Sequence, residues 1–182
     1  LYLHVLLRRQ RQMCIRDSDN IVPYEKKDDM WEHCLKSNYK LGWVDTEQPE
    51  KYDLNAYSHW SIDEFKLTGL LPHIQKCIDD TDWFTKKNLC KVICNLVRSN
   101  DVHYLHIHHN QQVCLYYVNL DWRDGWHGET LFYNPDNLDE IVYTSLYVPG
   151  RIILFDGSIP HAIRPQSVKA TKFRISLSLF FD

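Results

Sequence analysis

The stretch from Asp101 to Phe132, DVHYLHIHHNQQVCLYYVNLDWRDGWHGETLF, decides the reading of this chain together with its distant complement Ile159 to Pro165, IPHAIRP. Five of the ten histidines lie between His103 and His127. Imidazole is the commonest metal ligand, so such crowding beside strand-like sequence points to a metal site. His106 and His108 are two apart and share one face of a strand, while His103 and His109 share the other. Such a pair plus one ligand from a remote strand makes a three-point metal site with open positions. His161, whose approach Pro160 fixes, is the expected third ligand. From spacing alone, hydrogen-bonded barrel histidines without a metal fit equally well.

Outward from this stretch, short β-branched and aromatic runs alternate with turn residues. They cover Leu89 to Val97, Val102 to His108, Val113 to Asn119, Glu129 to Tyr133, Ile141 to Val148, Arg151 to Phe155 and Lys172 to Phe181. Asn134-Pro135-Asp136-Asn137, Pro149-Gly150 and Asp156-Gly157 supply the turns. Strands this short and this regularly punctuated predict a β-sandwich or jelly roll. The N-terminal part reads differently. Met30, Trp31, Cys34 and Leu35 recur at helical spacing within Tyr24 to Ser37. Tyr39 to Val44 alternates as a short strand, and Thr46 to Ser58 is polar enough to be a loop. Ser61 and Glu64 have the capping-box arrangement, so a helix should run from there to near Gly69, and Pro72 suits the first turn of another. The expected fold class is mainly β with N-terminal helices (α+β).

At 182 residues the chain is one domain's worth. A net charge of −3 leaves no nucleic-acid footprint, and no apolar run is long enough to span a bilayer. The six cysteines form no CxxC pair, which suits reduced thiols in a cytoplasmic compartment. Residues 1–18 differ in composition from the rest, with four arginines and the run RQRQMCIRDS, which resembles a translated sequencing adapter. They are read as a non-native extension. The expected organisation is then a single domain over 19–182, with helical support over 19–87 and the jelly-roll core over 88–182.

Leu115 to Trp122, LYYVNLDW, followed by Trp126 to Phe132, WHGETLF, resembles a strand and turn of prolyl 4-hydroxylase-like iron(II)/2-oxoglutarate dioxygenases. So do Pro149 to Asp156 leading to Pro160-His161, and Arg174 opening the last strand. The likeness spans roughly the C-terminal half, in the right order. It implies a double-stranded β-helix, Fe(II), 2-oxoglutarate and O2, with ascorbate as a candidate auxiliary reductant and succinate and carbon dioxide as co-products. By the same resemblance His106 and His161 are metal ligands, Arg174 pairs with the far carboxylate of 2-oxoglutarate, and the Tyr117 hydroxyl bonds that carboxylate. Lys172 shares the parity of Arg174 and is its substitute if the register slips. The implied partner is a small-molecule or peptide substrate to be hydroxylated.

One departure from the family is serious: where it carries an acidic ligand, this chain has His108. A neutral three-histidine site, a carboxylate supplied by Glu129, Asp101 or Asp156, and a degenerate site all remain open. The first is preferred on strand parity. His127-Gly128-Glu129 is a rival His-x-Glu pair, while His103, His109 and Arg164 are outward-facing surface residues or candidates to line or rim the cleft, and Trp122 and Trp126 are expected to pack. The competing functions are a non-catalytic jelly-roll binding module and a three-histidine metal dioxygenase that does not use 2-oxoglutarate.

Overall fold

The structure, a computed structural model, describes residues 14–42, 55–99 and 101–182. Three helices precede the main β region: α1 (Tyr24–Leu35), α2 (Ile62–Leu67) and α3 (Leu71–Asp79). α2 starts where the sequence places it, because the Ser61 side chain accepts from the Glu64 N–H at 3.1 Å. Pro72 sits in the first turn of α3, where a missing N–H costs nothing.

Eleven strands are described: β1 (Ile15–Ser18), β2 (Lys40–Leu41), β3 (Ala56–Trp60), β4 (Leu89–Val97), β5 (His103–His106), β6 (Gln112–Tyr117), β7 (Thr130–Asn134), β8 (Asn137–Ser145), β9 (Ile152–Asp156), β10 (His161–Ile163) and β11 (Arg174–Phe181). They form a seven-stranded sheet, β1-β9-β6-β11-β4-β3-β2, facing a four-stranded sheet, β5-β10-β7-β8. Every ladder is antiparallel. This is the expected jelly roll with helices laid on one side. The part of the predicted strand at 43–44 and of the predicted loop at 46–54 lies outside the described residues. Residues 56–58, read as loop, belong instead to β3, whose polar residues are tolerated because the backbone pairs with β4 from Ala56 to Trp60.

Residues 15–18 fall in the stretch set apart by composition, and they form β1 at the edge of the large sheet, paired with β9. An open sheet edge offers backbone hydrogen bonds to almost any extended segment. β1 carries a cost there: Asp17 is partly buried, burial pushes its carboxyl pKa up, and although Oδ2 meets Tyr143, Ser145 and Arg151, Oδ1 has no hydrogen-bond partner.

β11 is buried along its whole length. Its two faces differ. Ile175, Leu177, Leu179 and Phe181 pack with Met30, Phe65 and Ile74 under the helices. Arg174, Ser176, Ser178 and Phe180 face a cavity between the sheets. Phe132, Ile153, Phe155 and Phe180 fill the rest of the inter-sheet core. A row of polar side chains on a buried strand therefore marks the functional interior.

Candidate metal and anion site

His106 closes β5, and His161 opens β10 directly opposite it in the ladder. His108 lies two residues beyond the strand end, tied by its N–H to the Gly157 carbonyl at 2.7 Å. The three ring centroids are 4.4 to 5.1 Å apart. One ligand atom from each lies within 4.8 Å of the others, the only such His/Cys/Asp/Glu group among the described residues. Two rings have their tautomer set: Nδ1 of His106 is 2.8 Å from the Tyr104 carbonyl and Nδ1 of His161 is 2.8 Å from the Ile159 carbonyl. A carbonyl can only accept, so Nδ1 carries the proton and Nε2 keeps its lone pair for a metal.

The expectation that His103 faces outward is wrong. On β10 His161 pairs with His106 and Ile163 with His103, so the single residue Ala162 lies opposite two residues of β5, Tyr104 and Leu105. That bulge turns His103 to the same side as His106, where it is 4% exposed and lines the same cavity. His109 is exposed, as expected.

Burial holds His103, His108 and His161 neutral. His108 is pushed down to about 3 by burial, then by His106 and Lys91. His103 falls to about 3 through burial, Arg174 and His106. His161 lies well below its usual value for the same first reason. In the unfolded chain they return to about 6.5 and take up protons first as the pH falls. The stability conferred by neutral burial is therefore complete above about pH 6.5 and is lost as the pH falls toward 3. Each contributes up to about a tenfold shift in the folding equilibrium per pH unit. The melting temperature of the metal-free protein should fall between about pH 6.5 and 5, before most carboxylates titrate. A flat profile there would contradict neutral burial.

Arg174 lies in the same cavity, fully buried. Its Nε donates to the Gly128 carbonyl at 2.8 Å and its Nη1 to the Ser176 hydroxyl at 3.1 Å. The guanidinium lies 5.1 Å from the Tyr117 ring and 5.0 Å from the Tyr147 ring, which stack on each other at 4.3 Å. Gly128, at φ +88°, makes this approach possible; a Cβ there would sit 3.1 Å from Arg174 Cδ. Nη2 is buried with no hydrogen-bond partner, and no described carboxylate pairs with Arg174. A guanidinium stays charged, so this is a desolvated cation with an unused donor facing the cavity.

The other candidates are placed elsewhere. Lys172 precedes β11, half exposed and paired with Asp121. Asp101 pairs with Arg98 at 3.3 Å, and Asp156 Oδ1 accepts from the Ser158 N–H and hydroxyl at 2.9 and 2.6 Å. Glu129 is 3.7 Å from His127 and 3.8 Å from Arg164, while its neighbour Thr130 lines the cavity. Glu129 and His127 precede β7, and neither lines the cavity. Tyr117 directs its hydroxyl to Thr130 Oγ1 at 2.7 Å, so Thr130 rather than the phenol borders the cavity. Trp122 packs on Trp126 and Tyr147 as expected.

Sequence reasoning missed Thr130, Tyr147 and Asn95, and named His103 only as a candidate for the cleft or its rim. Asn95 lines the cavity and donates to Ser178 at 3.0 Å. Only the polar alternation Arg174, Ser176, Ser178 in an apolar strand was a readable signal of this wall.

No family model matches the sequence, and no curated protein matches it. Solved structures do resemble it in fold. A Pseudomonas putida prolyl-4-hydroxylase superimposes with a TM-score of 0.70 at 13% identity, over 100% of this chain and 99% of that one. A prolyl hydroxylase from Trichoplax adhaerens, in complex with a hypoxia inducible factor oxygen degradation domain peptide, gives 0.67 at 14% identity, over 98% and 87%. HygX from Streptomyces hygroscopicus, with nickel, 2-oxoglutarate and hygromycin B bound, gives 0.70 at 10% identity, over 97% and 86%. The fold is the jelly roll shared by these oxygenases.

Proposed function

We propose that this chain is an Fe(II)/2-oxoglutarate-dependent oxygenase that hydroxylates a peptide side chain or a small molecule, acting as a single domain over 19–182. The observation that carries the reading is the fully buried Arg174, with Nη2 unpartnered, in one cavity with three histidines that bring one ligand atom each within 4.8 Å of the others. The residues fit both groups. Imidazoles suit Fe(II), and a planar guanidinium suits a carboxylate. The fold likeness to oxygenases with peptide or small-molecule complexes supports the substrate class, and the six free thiols suit a reducing, cytoplasmic compartment.

Bound Fe(II) would supply the oxidative decarboxylation of 2-oxoglutarate by O2 and the hydroxylating power. The protein's part is positioning. His106, His108 and His161 hold the metal, the Tyr104 and Ile159 carbonyls aim two of the rings, and Arg174 takes the distal carboxylate, itself held on the Tyr117–Tyr147 stack. Because His108 replaces a carboxylate, the ligand set leaves the metal's full charge to attract a dianionic co-substrate.

Anaerobic titration with Fe(II) and 2-oxoglutarate should produce a weak visible metal-to-ligand charge-transfer band. Admitting O2 should then release succinate. No metal uptake would reduce the protein to a jelly-roll binding module. Uptake without the band or succinate would make it a three-histidine metal dioxygenase that does not use 2-oxoglutarate.

A further inference from the structure

His108 is the weakly tethered member of the triad. It lies beyond the last ladder pair of β5, so no strand fixes its backbone. What fixes it is the loop between β9 and β10. The His108 N–H donates to the Gly157 carbonyl at 2.7 Å, and the Gly157 N–H donates to the Gln111 carbonyl at 2.9 Å. Gly157 thus clips both ends of the turn from His108 to Gln111.

The clip leaves no room for a side chain. A Cβ on Gly157 would lie 2.5 Å from the His108 carbonyl oxygen, 2.6 Å from that of Gln111 and 2.9 Å from His108 Cβ. Two of these contacts are with backbone, which cannot swing aside as a flexible side chain can. The loop itself is anchored. Asp156 Oδ1 accepts from Ser158, the Ile159 N–H donates to the Asp156 carbonyl at 3.1 Å, and the Pro160 carbonyl accepts from the Tyr133 N–H at 2.8 Å. Four residues after Gly157 the same loop delivers His161.

We infer that Gly157 is a positioning residue that sets His108 as the third metal ligand, so that the β9–β10 loop supplies one ligand and places another. The inference rests on the triad being a metal site. A side chain at 157 pushes the His108 to Gln111 turn outward and leaves a two-histidine site.

A double-mutant cycle on metal affinity tests this, with Co(II) as the probe. Gly157→Ala should weaken Co(II) binding by about ten- to a hundredfold, the range typical of lost ligand positioning. Its Co(II) visible spectrum should match that of His108→Ala. On the His108→Ala background, Gly157→Ala should change the affinity by less than about twofold, because the group it positions is gone. Additive losses, or wild-type affinity and spectrum in Gly157→Ala, would overturn the inference.

A measurement on the unaltered chain covers failure of the variant to fold. If the clip favours metal binding, binding must strengthen the clip equally. Zn(II), a diamagnetic probe, should slow hydrogen exchange at the His108 and Gly157 amides; unchanged exchange there in the Zn(II)-bound protein would count against the role of Gly157. An unaltered chain that takes up neither Co(II) nor Zn(II) fails the metal reading itself, whereas uptake with additive losses sinks Gly157 alone.

Discussion

Arg174→Met raises the half-saturating concentration of 2-oxoglutarate by about a hundred- to a thousandfold and leaves Co(II) uptake by the histidines nearly unchanged. The size follows from the site. Losing one partner of a desolvated charge pair costs about 2–5 kcal/mol, and each 1.4 kcal/mol is tenfold in affinity. Arg174 is fully buried, and no described acidic side chain shares its charge. Methionine fills much of the same volume against Tyr117 and Tyr147, so the loss reports on charge rather than on a collapsed wall. The metal-free variant should also melt higher than the parent. Replacing a buried charge by an apolar side chain of similar volume often stabilises by about 1–4 kcal/mol. Lower stability with unchanged 2-oxoglutarate affinity would mean that Arg174 is a structural group.

His161→Ala should lower Co(II) affinity by on the order of a thousandfold, as expected when one of three ligands that together supply most of the binding energy is removed. His161 pairs with His106 across the ladder, sits 4.7 Å from the Phe155 ring and has Nδ1 held by the Ile159 carbonyl. Its ring is therefore held from both the ladder and the Ile159 carbonyl, and truncation removes a fixed ligand. Isothermal titration of the metal-free variant with Co(II) reads the result. Uptake at parental affinity would remove the triad from consideration.

The parts of this structure that were legible in the sequence are those fixed by local chemistry. Ser61 and Glu64 announce a helix start because they bond within one turn. Leu89 to Val97 is a strand in both descriptions because its β-branched and apolar run is bounded by polar residues. The His106, His108 and His161 group was legible too, although parity reached it by a partly different route, since the strand ends at His106. The illegible parts depend on distant pairing. Nothing around His103 encodes the bulge, which exists only in the register between β5 and β10. The contact of Tyr147 with Arg174 joins residues 27 apart through the stack on Tyr117, and Ala56 to Trp60 becomes a strand because β4 offers an edge.

The neutrality of the ligand set has a further consequence. With imidazoles, one guanidinium and no carboxylate among its lining residues, the cavity offers an arriving cation no resident anion, so a divalent metal would enter against Arg174. A dianion entering alone finds one positive partner instead of two. Each visitor therefore improves the reception of the other, and by linkage the improvement is the same in both directions. On the proposed function, metal and co-substrate would behave as a heterotropic pair, and the affinity measured for either would depend on the concentration of the other.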